Sequence, residues 1–153
     1  MKLPFTIPAF TLPALVTGVG ARLPQWPHAV ALVVALNAAA ALRVLPADTL
    51  ALLEGKLFRV RVLDAGSQAC FTRSGGQFRP VLWPRGESDL DLAANASAFL
   101  QLLSRQEDPD TLFFKRELSI TGDTELGLVV KNMLDAIEWP RLAELWQRWR
   151  GRL

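Results

Sequence analysis

Residues 106–138, QEDPDTLFFKRELSITGDTELGLVVKNMLDAIE, constrain the fold more than any other stretch of this chain. They read as a short aromatic helix, a strand, a sharp turn and a long helix. Asp108-Pro109-Asp110-Thr111 has the chemistry of a turn and a helix cap. Leu118 and Ile120 make a short strand. Asp123, after Gly122, caps the next helix, and Glu125 falls in its first turn, where the helix dipole favours an acid. Leu126, Val130, Met133 and Ile137 then recur at the spacing of one helix face, widened by Val129 and Leu134. The acids Glu107, Asp108, Asp110, Asp123 and Glu125 are thus accounted for by turns, caps and dipoles rather than by metal binding or acid–base catalysis. The segment is built to bury apolar surface, which points to a binding protein.

Upstream, residues 1–27 hold five prolines and read as an apolar arm with at most one short helix between 13 and 22. Phe5, Ile7, Phe10, Leu12 and Leu15 in that arm need covering by the domain, a partner or a membrane surface. A helix should run from Pro27 or His28 to Leu45. It is apolar nearly all round except for Asn37, which implies burial on several sides. Pro46-Ala47-Asp48 opens a shorter helix closed by Gly55. Leu57–Leu63 alternates Phe58, Val60 and Val62 with Arg59 and Arg61 as a half-buried strand does. Gln68–Arg73 and Gln77–Trp83 flank the hairpin turn Ser74-Gly75-Gly76, with Pro80 marking an edge. Ser88–Ala93 alternates again. Asn95 or Ser97 can cap a helix whose Phe99, Leu102 and Leu103 face inward. Pro140 opens a last helix. The order of elements argues for an α+β domain of residues 28–138, with a largely antiparallel sheet of about five strands, followed by an amphipathic tail at 139–153.

Composition closes off most chemistry. One cysteine, Cys70, and one histidine, His28, leave no disulfide within the chain and no Cys or His cluster for a metal or a nucleophilic relay. Both residues read as structural. No cofactor, catalytic residue or metal ligand is expected. A lone Lys2 and interrupting prolines make residues 3–21 a poor secretory signal, and the apolar run Ala29–Leu42 is short of the roughly 20 residues that span a bilayer.

Charge is segregated. Residues 55–85 carry six bases and one acid, residues 86–138 eleven acids and four bases, and residues 139–153 four bases and one acid. Arg59, Arg61, Arg73, Arg79 and Arg85 read as a solvated sheet face. Strand alternation sets Phe58 opposite Arg59 and Arg61, and no Gly-aromatic signature of an RNA-binding sheet accompanies them, so nucleic acid is not an expected partner. In the tail, Trp139, Trp146 and Trp149 interleave with Arg148 and Arg150. That pattern suits a membrane surface and equally a capping helix docked through Leu142 and Leu145.

The aromatic helix and the long helix offer an apolar wall of Phe113, Phe114, Leu126, Val130, Met133 and Leu134, joined by Phe99 and Leu102 from the preceding helix. Periodicity alone is met by ordinary core packing. The same side chains could instead line a tunnel for a long-chain lipid, where each buried CH₂ contributes about 0.8 kcal/mol.

LSITGDTELGLVVKNML resembles the last strand and helix of the sterol-carrier-protein-type lipid-binding family. DPDTLFF, GDTELGL and VKNMLDAIE together are similar to its branch of ubiquinone biosynthesis accessory factors, with a weaker likeness at LPADTLALLEGKLFRVRV. The resemblance implies a non-catalytic carrier with a lipid tunnel between sheet and C-terminal helix. The implied ligand is an isoprenoid quinone precursor or a phospholipid, and the implied partners are iron–sulfur hydroxylases. It implies a place in the cytoplasm or at the surface of the inner membrane. A structural adaptor that docks enzymes through the apolar arm and tail is the alternative of another class. An enzyme using Asp123 or Glu125 is a more remote one.

Overall fold

A computed structural model describes residues 6–84, 86–104, 106–136 and 147–152. In chain order the elements are α1 (Ala14–Arg22), α2 (Trp26–Ala41), α3 (Ala47–Leu52), β1 (Leu57–Val62), a 3₁₀ turn (Leu63–Ala65), β2 (Ser67–Ser74), β3 (Gln77–Pro80), β4 (Leu90–Ala94), α4 (Ala96–Leu103), α5 (Pro109–Phe114), β5 (Leu118–Gly122) and α6 (Thr124–Asp135).

The five strands form one sheet in the order β3-β2-β1-β4-β5. The pairs β1–β2, β2–β3 and β4–β5 are antiparallel, and β1–β4 is parallel because the chain crosses over between them. The expected antiparallel α+β sheet is therefore present, with one parallel seam. Gly75 and Gly76 both take positive φ, which a two-residue hairpin turn requires and glycine adopts without steric cost. Pro80 ends β3 at the sheet edge, where its missing N–H breaks no ladder.

The pleat sends Phe58, Phe71, Phe78, Leu90, Leu92, Ala94 and Leu118 into a single core. Helices close it with Val33 from α2, Leu50 from α3, Leu102 from α4, Leu112 from α5, and Leu126, Val130 and Met133 from α6. Phe58 and Phe71 stack at 5.2 Å, and Phe78 meets Phe71 edge-on at 5.8 Å. These offset and edge geometries are those the ring quadrupoles favour.

Four expectations need correction. First, α2 is not buried on several sides. It lies against β2 and β3 and buries only Ala29 and Val33, so Val30 and Val34 on its outer side stay exposed. Second, Leu103 is exposed while Leu102 is buried, because α4 turns a single narrow stripe inward. Third, neither Asn95 nor Ser97 caps α4. The buried Asp64 takes that role from across the fold, its Oδ1 accepting from the Ala96 N–H at 2.9 Å. Fourth, Arg73 leaves the solvated face. It shares the inward parity of Phe71, so its guanidinium lies buried 4.9 Å over the Phe78 ring and 3.5 Å from Glu54.

The arm is fastened by polar side chains. Asp64 Oδ2 accepts from the Leu12 N–H at 2.8 Å, Thr17 Oγ1 donates to the Asp64 carbonyl, and Ser97 Oγ donates to the Phe10 carbonyl at 2.9 Å. Gln101 Nε2 donates to the Ile7 carbonyl at 3.1 Å. Ile7 and Leu12 are half-buried, Phe10 and Leu15 are exposed, and Phe5 is outside the described residues. No helix among the described residues is long and apolar enough to cross a membrane.

Candidate lipid-binding site

Two capped helices frame the site. Asp108 Oδ1 accepts from the Thr111 N–H at 2.7 Å and Oδ2 from the Thr111 hydroxyl at 2.8 Å, which starts α5. Those bonds, the backbone one first, hold the Asp108 carboxyl below its usual range. Asp123 Oδ1 accepts from the Leu126 N–H at 3.0 Å and starts α6. Just before it, Gly122 takes a φ of 117°, and any Cβ there would collide with the Asp89 carbonyl. The Asp123 N–H reaches that same carbonyl at 2.9 Å, which pins the start of α6 against β4. Asp123 therefore works as a cap, as its position in the sequence suggests.

Gly127 lets α6 settle onto the sheet. A Cβ on it would lie 3.3 Å from Ile120 Cγ2 and 3.5 Å from Leu90 Cδ1. Beside it opens a cleft of about 250 Å³ among Leu90, Phe113, Ile120, Gly127, Leu128 and Lys131. Leu90 is fully buried in the core and Ile120 packs against it, while Phe113 and Leu128 stand half-exposed. Phe114, 80% exposed, pairs edge-on with Phe113 at 5.9 Å. Lys131 Nζ lies 2.6 Å from Asp110 Oδ1 and ties α6 to α5.

The eight residues expected to form an apolar wall are thus divided. Leu102, Leu126, Val130 and Met133 belong to the packed core, with Phe99 and Leu134 half-buried against it. Phe113 reaches the cleft, and Phe114 projects into solvent next to it. Sequence reasoning missed Leu90, Ile120, Gly127, Leu128 and Lys131 as cleft residues. The available signal was Leu128, an apolar residue on the side of α6 opposite the Leu126–Val130–Met133 stripe. In the tail, Trp149 and its neighbours Arg148 and Arg150 are exposed, whereas Trp139 and Trp146 lie outside the described residues.

Two other clefts are more polar. One of about 370 Å³ lies between the arm and α4, lined by Phe10, Leu63, Asn95, Arg116 and Glu117. Another of about 340 Å³ sits on the outer sheet face between Arg59, Ser88, Asp91 and Thr121. Arg61 Nε meets Asp91 at 3.0 Å beside it. Among the described residues, no group of three or more His, Cys, Asp or Glu could hold a metal ion. Chemistry rather than size therefore singles out the smaller, apolar cleft.

The ubiquinone biosynthesis accessory factor UbiT of Escherichia coli strain K12 is 44% identical over 86 residues, which is 56% of this chain and 48% of UbiT. UbiT of Escherichia coli O157:H7 matches with the same figures. The chain spans about half the length of the curated relatives it matches. A solved structure, the UbiJ-SCP2 ubiquinone synthesis protein, superposes with a TM-score of 0.55 at 22% identity, covering 73% of this chain and 100% of that one. That likeness establishes the fold. The sequence profile of the SCP-2 sterol transfer family matches residues 36–135, from the second half of α2 to the end of α6, and the chain belongs to that family.

Proposed function

We propose that this protein is a non-catalytic accessory factor that holds a long-chain lipid between α6 and the sheet. The observation that carries the reading is the cleft between α5, α6 and β5, whose floor is core and whose rim exposes Phe113, Phe114 and Leu128. Large apolar side chains grouped at a cleft mouth mark a site that receives apolar ligand. At about 250 Å³ the cleft is smaller than the roughly 300–1,000 Å³ usual for ligand pockets, so a long chain enters only as α6 lifts from the sheet. The Val130–Met133 face of α6 then exchanges contact with the rest of the core for contact with lipid, and flexible Met133 adapts to chains of differing shape.

Similarity to UbiT favours an isoprenoid quinone precursor as the ligand, and phospholipid is the competing class. One cysteine cannot bind an iron–sulfur cluster, so redox steps on such a precursor fall to iron–sulfur hydroxylase partners. Gentle purification from a membrane-containing lysate, native mass spectrometry and organic extraction test the reading. Near-stoichiometric isoprenoid or phospholipid is expected. A folded, lipid-free protein that takes up neither lipid from vesicles would overturn it.

A further inference from the structure

The pleat that sends Phe58 and Leu90 into the core turns their sequence neighbours onto the other face of the sheet. Strand register sets Cys70, Arg59, Asp91 and Thr121 side by side in one row there, on β2, β1, β4 and β5. Asp91 is the acid next to Arg59 in that row, yet it pairs with Arg61, whose Nε meets its Oδ1 at 3.0 Å. Arg59 is left without an ion pair among the described residues. Its Nε is buried and has no hydrogen-bond partner. A buried N–H without an acceptor is costly, and folded proteins keep few of them. Arg59 therefore calls for an acceptor that this chain does not supply.

Arg59 borders the cleft of about 340 Å³ on this face, together with Glu87, Ser88 and Thr121. That volume is within the range of small-molecule sites. A guanidinium fork matches a carboxylate or a phosphate. Charge decides between them. Arg61 neutralises Asp91, so the charges left in the cleft lining are Arg59 and the exposed Glu87, which do not pair with each other. Glu87 repels a dianionic phosphate, whereas a ligand with one carboxylate and one hydroxyl or amino donor suits both side chains. Ser88 and Thr121 add hydroxyls that donate and accept. We infer that this cleft binds a small hydroxy- or amino-carboxylate, with its carboxylate on Arg59 and its donor towards Glu87. The α5–α6 cleft is floored by Leu90 and Ile120 on the core face, so carboxylate binding and lipid holding can fail separately.

The test is an NMR titration of the isotope-labelled 153-residue chain, read at the Arg59 Nε–H signal and at the Ser88 and Thr121 amides. Sodium lactate, glycine and inorganic phosphate serve as probes at constant ionic strength and neutral pH. Lactate or glycine should move these signals saturably on the millimolar scale, and phosphate should bind more weakly. Arg59→Gln should weaken binding about tenfold or more, as the loss of a charge-assisted pair does. Arg59→Lys should recover only part of it, because an ammonium lacks the planar fork. Circular dichroism and lipid retention should stay as in the parent protein, because Arg59 faces away from the core.

Signals that neither lactate nor glycine moves would overturn the inference and leave Arg59 to solvent. So would phosphate binding more tightly than either carboxylate, or Arg59→Lys binding as well as the parent, which would reduce the site to general charge attraction. A response to an acidic peptide such as polyglutamate, with none to lactate or glycine, would assign the face to a protein partner and reject the small-molecule site. Saturable lactate binding at Arg59 in a protein that never carries lipid would uphold this site and reject the carrier reading.

Discussion

The carboxamide of Asn37 closes the outer edge of the sheet by taking both backbone groups of Phe78: Oδ1 accepts from its N–H at 2.8 Å and Nδ2 donates to its carbonyl at 2.9 Å. β3 is an edge strand, and edge strands otherwise present free donors and acceptors to any passing chain. The lone polar residue in an apolar run thus does the work of a missing neighbouring strand. It also fixes α2 against β2 and β3, the position that leaves Val30 and Val34 facing out.

Asn37→Ala is expected to destabilise the protein by about 1–3 kcal/mol, the cost of leaving a covered N–H and carbonyl without partners. The fall should appear in the urea midpoint, with faster amide exchange at Phe78. An unchanged midpoint would mean that solvent reaches the strand edge and replaces the side chain.

Asp64 joins three segments, since one carboxylate serves the Leu12 and Ala96 N–H groups and its carbonyl serves Thr17. Asp64→Ala strands two N–H donors and uncaps α4, for a loss of about 1–3 kcal/mol. The arm and α1 bury little apolar side-chain surface, so their protection should collapse further than the global stability does. Hydrogen exchange over residues 6–22 set against the denaturant midpoint tests that split. Equal loss in both would show the arm to be integral to the core.

The elements legible in the sequence were those fixed by neighbours within about four residues. The α6 stripe, the Asp108 and Asp123 caps, the Gly75–Gly76 turn and the edge role of Pro80 are all of this kind. What escaped depends on distant partners. Asp64 caps a helix 32 residues away, and Asn37 pairs with a strand 41 residues away. A cap from a remote residue leaves no local pattern, and Asn95 occupied the expected position without the bond. Arg73 looked solvated because its neighbours in the sequence are polar, but strand register carries it to the core face beside Phe78. Likewise, spacing sorted Phe113 and Phe114 with the wall and could not tell a buried wall from an exposed rim.

The Asp108 cap should respond to acid. Its folded carboxyl titrates below the ordinary value because the Thr111 N–H, and then the Thr111 hydroxyl, stabilise the charged form. A depressed folded value means the cap contributes fully above the ordinary carboxylate range and is lost as pH falls through the folded one. Protection of the Thr111 and Leu112 amides should therefore be flat near neutrality and drop only in acid. Asp108→Ala should remove the step and leave protection low throughout. A step of the same size in the variant would assign it to another carboxylate.

The rim residues offer the sharpest view of lipid entry. Phe114 and Leu128 are exposed, so Phe114→Gln with Leu128→Gln should shift stability by only about 0.5 kcal/mol per site. They stand beside the cleft through which, on the proposed reading, a chain would slide while α6 lifts, and an apolar rim would shield that chain from water during transfer. Removing the rim exposes the chain in the transfer barrier and leaves the bound state little changed. Fluorescent-lipid transfer from vesicles should slow several-fold, with the amount finally bound nearly the same. Val130→Asp acts on the other side of the barrier. It sets a charge in the face that would contact lipid, so the amount bound should fall in whatever fraction stays folded. Slower transfer in the rim variant with unchanged capacity, and lost capacity in the α6 variant, would place the mouth at α5–α6 and the lipid beneath α6. An unaltered transfer rate in the rim variant would move the mouth elsewhere on the molecule.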